Sequence, residues 1–133
     1  MTKRSILVIA VFMAALIALA PGANAQGGTF IGSRNVTDRA DHDTIVIGAA
    51  RGTFKRLQFR IEGNPVDFRR VVVHFVNGGD EELELRERIP AGGQSRWIDL
   101  RGNDRKIRSI EFWYDSGSLG RGGRSRVNVF GAN

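Results

Sequence analysis

The chain has no cysteine, only two histidines and only three prolines in its 133 residues. The lack of cysteine excludes a disulfide scaffold and a cysteine nucleophile. With two histidines and no thiol, the usual ligands of a zinc site are too few, so we expect no metal and no other cofactor. A Gly-x-Ser-x-Gly sequence, which would carry a serine nucleophile, is also missing. We therefore expect a protein that is not an enzyme.

The first 25 residues have the layout of a secretory signal peptide. Lys3 and Arg4 precede an uninterrupted apolar stretch over residues 6–20, and Ala-Asn-Ala at residues 23–25 supplies a cleavage site. The alternative is a transmembrane anchor, but this stretch is shorter than the roughly 20 residues that cross a bilayer. No cysteine follows it to carry a lipid. We therefore expect a soluble mature protein that is periplasmic or secreted.

The mature chain, residues 26–133, has the composition of one globular domain. Cleavage removes two basic residues and no acidic one, which leaves 18 basic and 14 acidic residues in 108. That length suits a single core. The moderate positive charge is compatible with anionic partners but does not require them.

Apolar residues recur at every second position in short runs separated by glycine-containing turns, which is typical of half-buried strands. The run 66–76 is apolar on both faces, so we expect it to be central. The pattern predicts an all-β fold, an antiparallel, jelly-roll-like β-sandwich of seven or eight strands, with a small barrel as the alternative. The predicted strands are residues 29–36, 44–47, 54–61, 66–76, 81–89, 96–100, 107–114 and 127–131.

Several stretches together resemble a known family. They are Phe-Lys-Arg-Leu-Gln-Phe at 54–59, Trp-Ile-Asp-Leu at 97–100 with the polar turn 102–105, Ile-Glu-Phe at 110–112 and Val-Asn-Val-Phe-Gly at 127–131. In these stretches the chain resembles a family of small exported proteobacterial proteins classed only as a domain of unknown function. The resemblance covers nearly the whole mature chain. It implies export and an all-β fold, and it carries over no catalytic residue.

The two tryptophans are candidate ligand-binding residues. If Ile98 and Ile110 point into the core, Trp97 and Trp113 point outward, on what we expect to be the polar face of neighbouring strands. An exposed indole ring beside carboxylates and arginine suits the stacking of a sugar or contact with a partner. The alternative is that the N-terminal segment or a loop covers both rings, because large aromatic side chains are mostly buried.

Basic residues concentrate near the end of the chain and are candidate anion-binding residues. If the connections that carry them lie at one end of the fold, they form one patch suited to phosphate-bearing polymers. The alternative is a set of solvated loops, and we do not expect nucleic acid as the natural partner. The candidates are Arg101, Arg105, Lys106, Arg108, Arg121 and Arg124.

Acidic residues and histidines form weaker candidates for chemistry. Asp115 with the following Ser-Gly-Ser resembles the active-site loop of aspartic proteases, but too little chain follows it, and a turn explains the same residues. Asp38, Asp41, His42 and Asp43 could gather around a hard cation, although their spacing matches no calcium loop. His74, between valines, is expected to pack within a strand.

The sequence therefore favours an exported binding or structural module of the cell envelope. The first hypothesis is recognition of a glycan or envelope polymer through the tryptophans. The second is binding of a polyanion through the basic residues, and the third is a purely structural or protein-interaction role.

Overall fold

A computed structural model of the protein describes residues 27–48, 51–102 and 105–133. The predicted signal peptide, residues 1–25, lies outside the described residues. A four-residue 3-10 helix, Ser116–Leu119, follows the ninth strand. The described strands are β1 Thr29–Thr37, β2 His42–Val46, β3 Thr53–Phe54, β4 Arg56–Gly63, β5 Val66–Phe75, β6 Asp80–Leu83, β7 Arg88–Ile89, β8 Ile98–Asp99, β9 Arg105–Asp115 and β10 Arg124–Ala132.

The strands form two antiparallel sheets whose apolar faces enclose one core. The first sheet has the order β1-β10-β4-β8, and the second has the order β2-β9-β5-β6, with β3 added to β9 and β7 added to β5. The prediction of an all-β antiparallel sandwich is confirmed. The structure describes ten strands rather than seven or eight, because three strands have two residues each and the run 81–89 divides into β6 and β7.

The core is built on aromatic rings from both sheets. The ring centroid of Phe68 lies 5.7 Å from that of Phe59 and 5.8 Å from that of Phe112, and Phe112 lies 5.7 Å from Tyr114. All four side chains are almost fully buried. Among the described residues, every buried side-chain nitrogen or oxygen has a hydrogen-bond partner, so the interior carries no unsatisfied polar group of this kind.

The strand β5 lies between β9 and β6 in the second sheet, as its two apolar faces predict. Val71 and Val73 point into the core, and Val72 on the opposite face is also buried. Across the ranges that the structure covers, no helix has the length and apolar character needed to cross a membrane.

The chain passes repeatedly from one sheet to the other. β4 lies in the first sheet and β5 in the second, and β8, β9 and β10 alternate in the same way. β1 pairs with β10 from Thr29 opposite Gly131 to Thr37 opposite Arg124, with an irregularity between Phe30 and Gly32. Each sheet therefore has one outward face assembled from distant parts of the sequence.

Candidate functional site

The two tryptophans lie on opposite sheets. Trp97 immediately precedes β8 in the first sheet, whereas Trp113 lies within β9 in the second sheet. The expectation that their strands are neighbours was wrong, because β8 pairs with β4 while β9 pairs with β2 and β5. Strands that follow one another in sequence are often neighbours in a sheet, but here the chain crosses the sandwich between them. The two indole rings therefore belong to separate surfaces.

Trp97 is half-buried and is partly covered by the N-terminal segment. A Cβ atom built on Gly28 would lie 2.5 Å from Cη2 of the indole, so the backbone touches the ring. The guanidinium carbon of Arg56 lies 5.6 Å from the ring centroid. Trp97 also lines an open cleft of about 330 Å³, whose charged lining comprises Glu81, Glu82, Glu84, Arg96, Asp99 and Arg101.

Trp113 is half-buried on the outward face of the second sheet. It pairs across the strands with His42 on one side and Arg70 on the other. The imidazole of His42 packs against the indole with centroids 4.6 Å apart, and the guanidinium carbon of Arg70 lies 4.8 Å from the indole centroid. Side chains of the same sheet therefore cover much of the ring.

Both histidines of the chain bond to one carboxylate beside Trp113. Nε2 of His42 lies 2.6 Å from Oε2 of Glu111, and Nε2 of His74 lies 2.9 Å from Oε1 of the same residue. Nδ1 of His74 lies 2.7 Å from Oδ1 of Asp80. The sequence did not reveal this network, because its members come from four separate strands and only the sheet order brings them together.

The hydrogen bonds of this network shift two pKa values in opposite directions. The bond to Glu111, followed by the bond to Asp80, raises the pKa of His74 above its ordinary value. The bond with His74 lowers the pKa of Glu111, and partial burial opposes that shift. Each group stabilises the charged form of the other, so the network joins β2, β9, β5 and β6 electrostatically.

The six basic candidates do not form one patch. Arg101, Arg105, Lys106 and Arg108 lie at or near the start of β9, and we call them the β9-start group. Arg121 and Arg124 lie beyond the end of β9. The first residue of β9, Arg105, lies roughly 33 Å from the last, Asp115, so the two sets lie towards opposite ends of the strand. The single anion-binding patch expected from the sequence was therefore wrong, because the strand between the two connections is long.

The β9-start group nevertheless keeps an excess of positive charge. Within the described ranges, none of its four side chains forms an ion pair. The guanidinium carbon of Arg105 lies 3.6 Å from the ring centroid of Phe75, and its Nη2 donates to Oδ1 of Asn77 at 3.3 Å. Neutral partners therefore orient this arginine without cancelling its charge.

The outward face of the first sheet carries arginines and aromatic rings side by side. Leu57, Phe59 and Ile61 of β4 point into the core, so the residues between them point outward, and the same alternation holds along β10. We call this surface the arginine–aromatic face, with Trp97 at its margin. Its members are Phe30, Arg56, Arg60, Arg124, Arg126 and Phe130.

Arg60 and two phenylalanines form the middle of the arginine–aromatic face. The guanidinium carbon of Arg60 lies 3.6 Å from the ring centroid of Phe130, and the ring of Phe30 meets that of Phe130 edge-on at 5.7 Å. Arg60 also donates to Oε1 of Gln58 and to the backbone oxygen of Gly27. Partial burial lowers the pKa of Arg60, but a guanidinium remains charged under ordinary conditions. Phe30 keeps 39% of its surface exposed.

Arg126 is held on the same face by neutral groups. Its Nη2 donates to Oγ of Ser33 at 2.8 Å, and its Nε donates to Oδ1 of Asn128 at 3.3 Å. The amide of Asn128 donates in turn to Oε2 of Glu62 at 2.7 Å. The guanidinium is thereby oriented while keeping donors that have no carboxylate partner.

A pocket of about 420 Å³ opens at one end of the arginine–aromatic face. Arg124 and Arg126 contribute to its wall, and Glu62 lies opposite Arg126 across the strands. Gly63 has φ of +90°, and a Cβ atom there would lie 2.8 Å from the backbone oxygen of Arg124. Only glycine suits such a position. The other lining residues are Asn35, Val36, Thr37 and Ser125.

The acidic candidates have structural roles in the described residues. Asp43 accepts from Nε of Arg34 at 3.1 Å and from the hydroxyl of Tyr114 at 2.8 Å. Asp38 accepts from the backbone of Gly122. In the part of the chain that the structure describes, no three histidine or acidic side chains are arranged to hold a metal ion.

Asp115 caps the 3-10 helix. Its Oδ1 accepts from the backbone of Gly117 at 2.9 Å, and its Oδ2 pairs with Nη2 of Arg69 at 3.1 Å. The hydroxyl of Ser118 donates to the backbone oxygen of Asp115. These bonds are those of a turn that begins a helix.

Comparison with protein families identifies the chain at the level of a family. The family described as "Domain of unknown function (DUF2541)" matches residues 6–131. The chain is a member of the DUF2541 family. The predicted resemblance to a family classed as a domain of unknown function is thereby confirmed. No curated protein matches the chain.

Among solved structures, the DUF2541 chain resembles part of AlgX from Pseudomonas aeruginosa. The TM-score is 0.51 at 16% sequence identity, and the match covers 79% of this chain. It covers 27% of AlgX, so the chain corresponds to about a quarter of that protein's length. The likeness supports the all-β fold.

The sequence contained a signal for the arginine–aromatic face that our prediction did not use. Val127 and Val129 point into the core, so Arg126 and Phe130 had to point outward from the same strand. That alternation placed a charged and an aromatic side chain on one surface. The pairing with Phe30 and Arg60 could not be predicted, because it depends on the register of three strands.

Proposed function

We propose that this protein is an exported, non-enzymatic module of the cell envelope that binds a glycan or similar polymer on the arginine–aromatic face. The observation that carries the proposal is the outward-facing group of Phe30, Phe130 and Arg60, with Arg126 and Glu62 in the adjoining rows. Aromatic rings contact the C–H groups of sugars, while guanidinium and carboxylate groups bond to hydroxyls.

The shape of the face supports an extended ligand. β10 runs along it for nine residues, from Arg124 to Ala132, which corresponds to about 27 Å. The pocket beside Arg124 lies at one end, and Trp97 with Arg56 lies towards the other. A polymer several sugar rings long can therefore contact the pocket, the phenylalanines and the indole together.

The test uses each tryptophan as a separate reporter, because the chain has only two. The Trp113→Phe variant leaves Trp97 at the margin of the proposed face, and Trp97→Phe leaves Trp113 on the opposite sheet. Titration with peptidoglycan fragments, lipopolysaccharide, and neutral and acidic polysaccharides should change the emission of Trp113→Phe saturably. The emission of Trp97→Phe should not change.

A paired substitution tests the same proposal without relying on fluorescence. Phe30→Ala should weaken retention on the immobilised polymer, and Val46→Ala, an exposed apolar residue of the opposite sheet, should not. Retention lost in Val46→Ala but kept in Phe30→Ala would place the site on the second sheet. No retention of the unaltered protein on any of these polymers would leave a structural or protein-interaction role and overturn the proposal.

The β9-start group supports a second candidate function, binding of a phosphate-bearing polyanion. The supporting observation is that none of its four basic side chains, within the described residues, has an acidic partner. Affinity of this kind falls steeply with salt. A double Arg105→Gln and Lys106→Gln variant that loses lipopolysaccharide binding while keeping the Trp97 response to other polymers would favour this candidate.

A further inference from the structure

We propose that the polymer recognised by the arginine–aromatic face is a polysaccharide bearing carboxylate groups, and that the pocket between Arg124 and Arg126 receives one of those carboxylates. This inference rests on the proposed function, since it names the class of ligand for the same face. It differs from the anion-binding patch expected from the sequence, because it combines Arg124 with Arg56, Arg60 and Arg126 and not with the β9-start group.

Charge on the face is the first argument. Four arginines point outward from it, and among the described residues none of the four forms an ion pair. The two carboxylates of the surrounding rows are Glu62 and Asp99, which lie opposite Arg126 and Arg56 across the strands. The excess of guanidinium groups favours a ligand of negative charge, and the fork of an arginine suits a carboxylate.

The pocket supplies the second argument, because it presents an oriented cation next to an open volume. Ser33 and Asn128 fix the guanidinium of Arg126 through neutral bonds, so the ordering of this side chain is partly complete before a ligand arrives. The side chain of Arg124 is exposed at the same pocket. A carboxylate between the two arginines can therefore accept charge-assisted hydrogen bonds from both.

Glu62 indicates why the ligand is a sugar acid and not simply a polyanion. Its Oε2 accepts from Asn128, and the carboxylate lines the same pocket as the arginines. A hydroxyl of a sugar ring can donate to this carboxylate, and a row of phosphates without hydroxyl groups has no such donor. Asn35 and Thr37, in the same lining, offer further bonds to hydroxyls.

The aromatic rings argue against a single-stranded nucleic acid as the ligand. Proteins that bind such strands stack bases on open aromatic faces. Here the guanidinium of Arg60 covers one face of Phe130 at 3.6 Å, and the rings of Phe30 and Phe130 form a T-shaped pair. Phe30, with 39% of its surface exposed, is the more open of the two rings, so the pair can contact one sugar ring but offers no row of open faces for successive bases.

The experiment compares two polymers with one backbone. The full-length gene product, exported by the expression host, is titrated calorimetrically with polygalacturonate and with the same polymer after complete methyl esterification. We expect binding of polygalacturonate that weakens with salt, and affinity at least about tenfold lower for the neutral ester. A hydrogen-bonded charged pair commonly contributes an effect of this size.

Variants then place the site. The double Arg124→Gln and Arg126→Gln variant should lower the affinity for polygalacturonate by about tenfold or more and should reduce its dependence on salt. Arg121→Gln is the matched control: it removes an exposed arginine from the neighbouring loop, and binding should change by less than about twofold. Thermal unfolding of each variant checks that the fold is kept, and single Arg126→Gln replaces the double variant if that fails to fold.

The outcomes separate this inference from the proposed function. Equal affinity for the acid and the ester would overturn the inference and leave glycan binding by the face intact. An equal loss in Arg121→Gln would place the carboxylate elsewhere and overturn the assignment of the pocket. If single-stranded DNA or polyphosphate binds as tightly as polygalacturonate, the face recognises negative charge alone. That result would overturn the assignment of the ligand as a polysaccharide with carboxylate groups. If no glycan binds and none changes the emission of Trp97, both proposals are overturned.

Discussion

His74 on β5 and Glu111 on β9 are diagonal neighbours across the two strands and share a hydrogen bond of 2.9 Å between Nε2 and Oε1. The bond raises the pKa of the imidazole and lowers that of the carboxyl. Because His74 also bonds to Asp80, its charged form has two acceptors in the folded protein. The charge of one imidazole is thus coupled to the stability of the second sheet.

The first prediction concerns stability against pH. The raised pKa of His74 gives a contribution that is complete below about pH 6.5, its unfolded value, and is lost as the pH rises through the folded value. The lowered pKa of Glu111 gives a contribution that is lost as the pH falls below about 4.5. Urea unfolding of the protein should therefore become easier as the pH rises above about 6.5, and His74→Gln should flatten that decline. A wild-type midpoint that stays constant over this range would contradict the coupling.

The second prediction concerns Tyr114, the only tyrosine of the chain. Burial, and then the hydrogen bond to Asp43, raise the pKa of Tyr114 far above its ordinary value. Absorbance near 295 nm should show no tyrosinate in the native protein up to about pH 11, whereas in denaturant the tyrosine should ionise near pH 10. Asp43→Asn should lower the native value. Titration of the native protein near pH 10 would show that the hydroxyl is open to solvent.

The third prediction tests the aromatic core. Phe112 contacts Phe68 and Tyr114 and is fully buried. Phe112→Ala should lower the free energy of unfolding by about 3–5 kcal/mol, since it removes a ring and leaves a cavity. Val46→Ala, at a residue with 78% of its surface exposed, should change it by less than about 0.5 kcal/mol. Similar losses in the two variants would be incompatible with this core.

The fourth prediction concerns the contact between the N-terminal segment and Trp97. Gly27 and Gly28 both have positive φ, but a Cβ atom meets Trp97 only at residue 28 and meets nothing within 4 Å at residue 27. In a Trp113→Phe background, Gly28→Ala should shift the emission of Trp97 and increase its quenching by acrylamide. Gly27→Ala should leave both unchanged, although each substitution costs roughly 1 kcal/mol of backbone strain. Identical spectra would show that the segment does not cover the ring.

Local patterns predicted the strands better than they predicted the surfaces. The two apolar faces of the run 66–76 placed β5 correctly in the interior of a sheet. The run 81–89 looked continuous because Leu83 and Leu85 are both buried, yet the backbone of Leu85 donates to Leu83, and the strand ends there. The alternation of apolar and polar residues indicates which side chains are buried. A tight turn can keep the same alternation, so the pattern does not show where a strand ends.

The surfaces depend on strand order, which has no local signal. Trp97 and Trp113 were both predicted to point outward from their strands. Only the pairing of β8 with β4 and of β9 with β5 shows that they lie on different sheets. The meeting of both histidines at Glu111 has the same origin. Such contacts arise from tertiary pairing and not from the spacing of residues along one strand.

The pairing of β1 with β10 has a consequence for how the protein acquires its structure. The partner of Thr29 is Gly131, so β1 has no neighbour in its sheet until the residues of β10 have been made. Non-local pairing of this kind slows folding, because distant segments must meet before their contacts form. The first sheet can therefore close only when β10 is available, because β10 is the one strand that pairs with β1 and also joins it to β4.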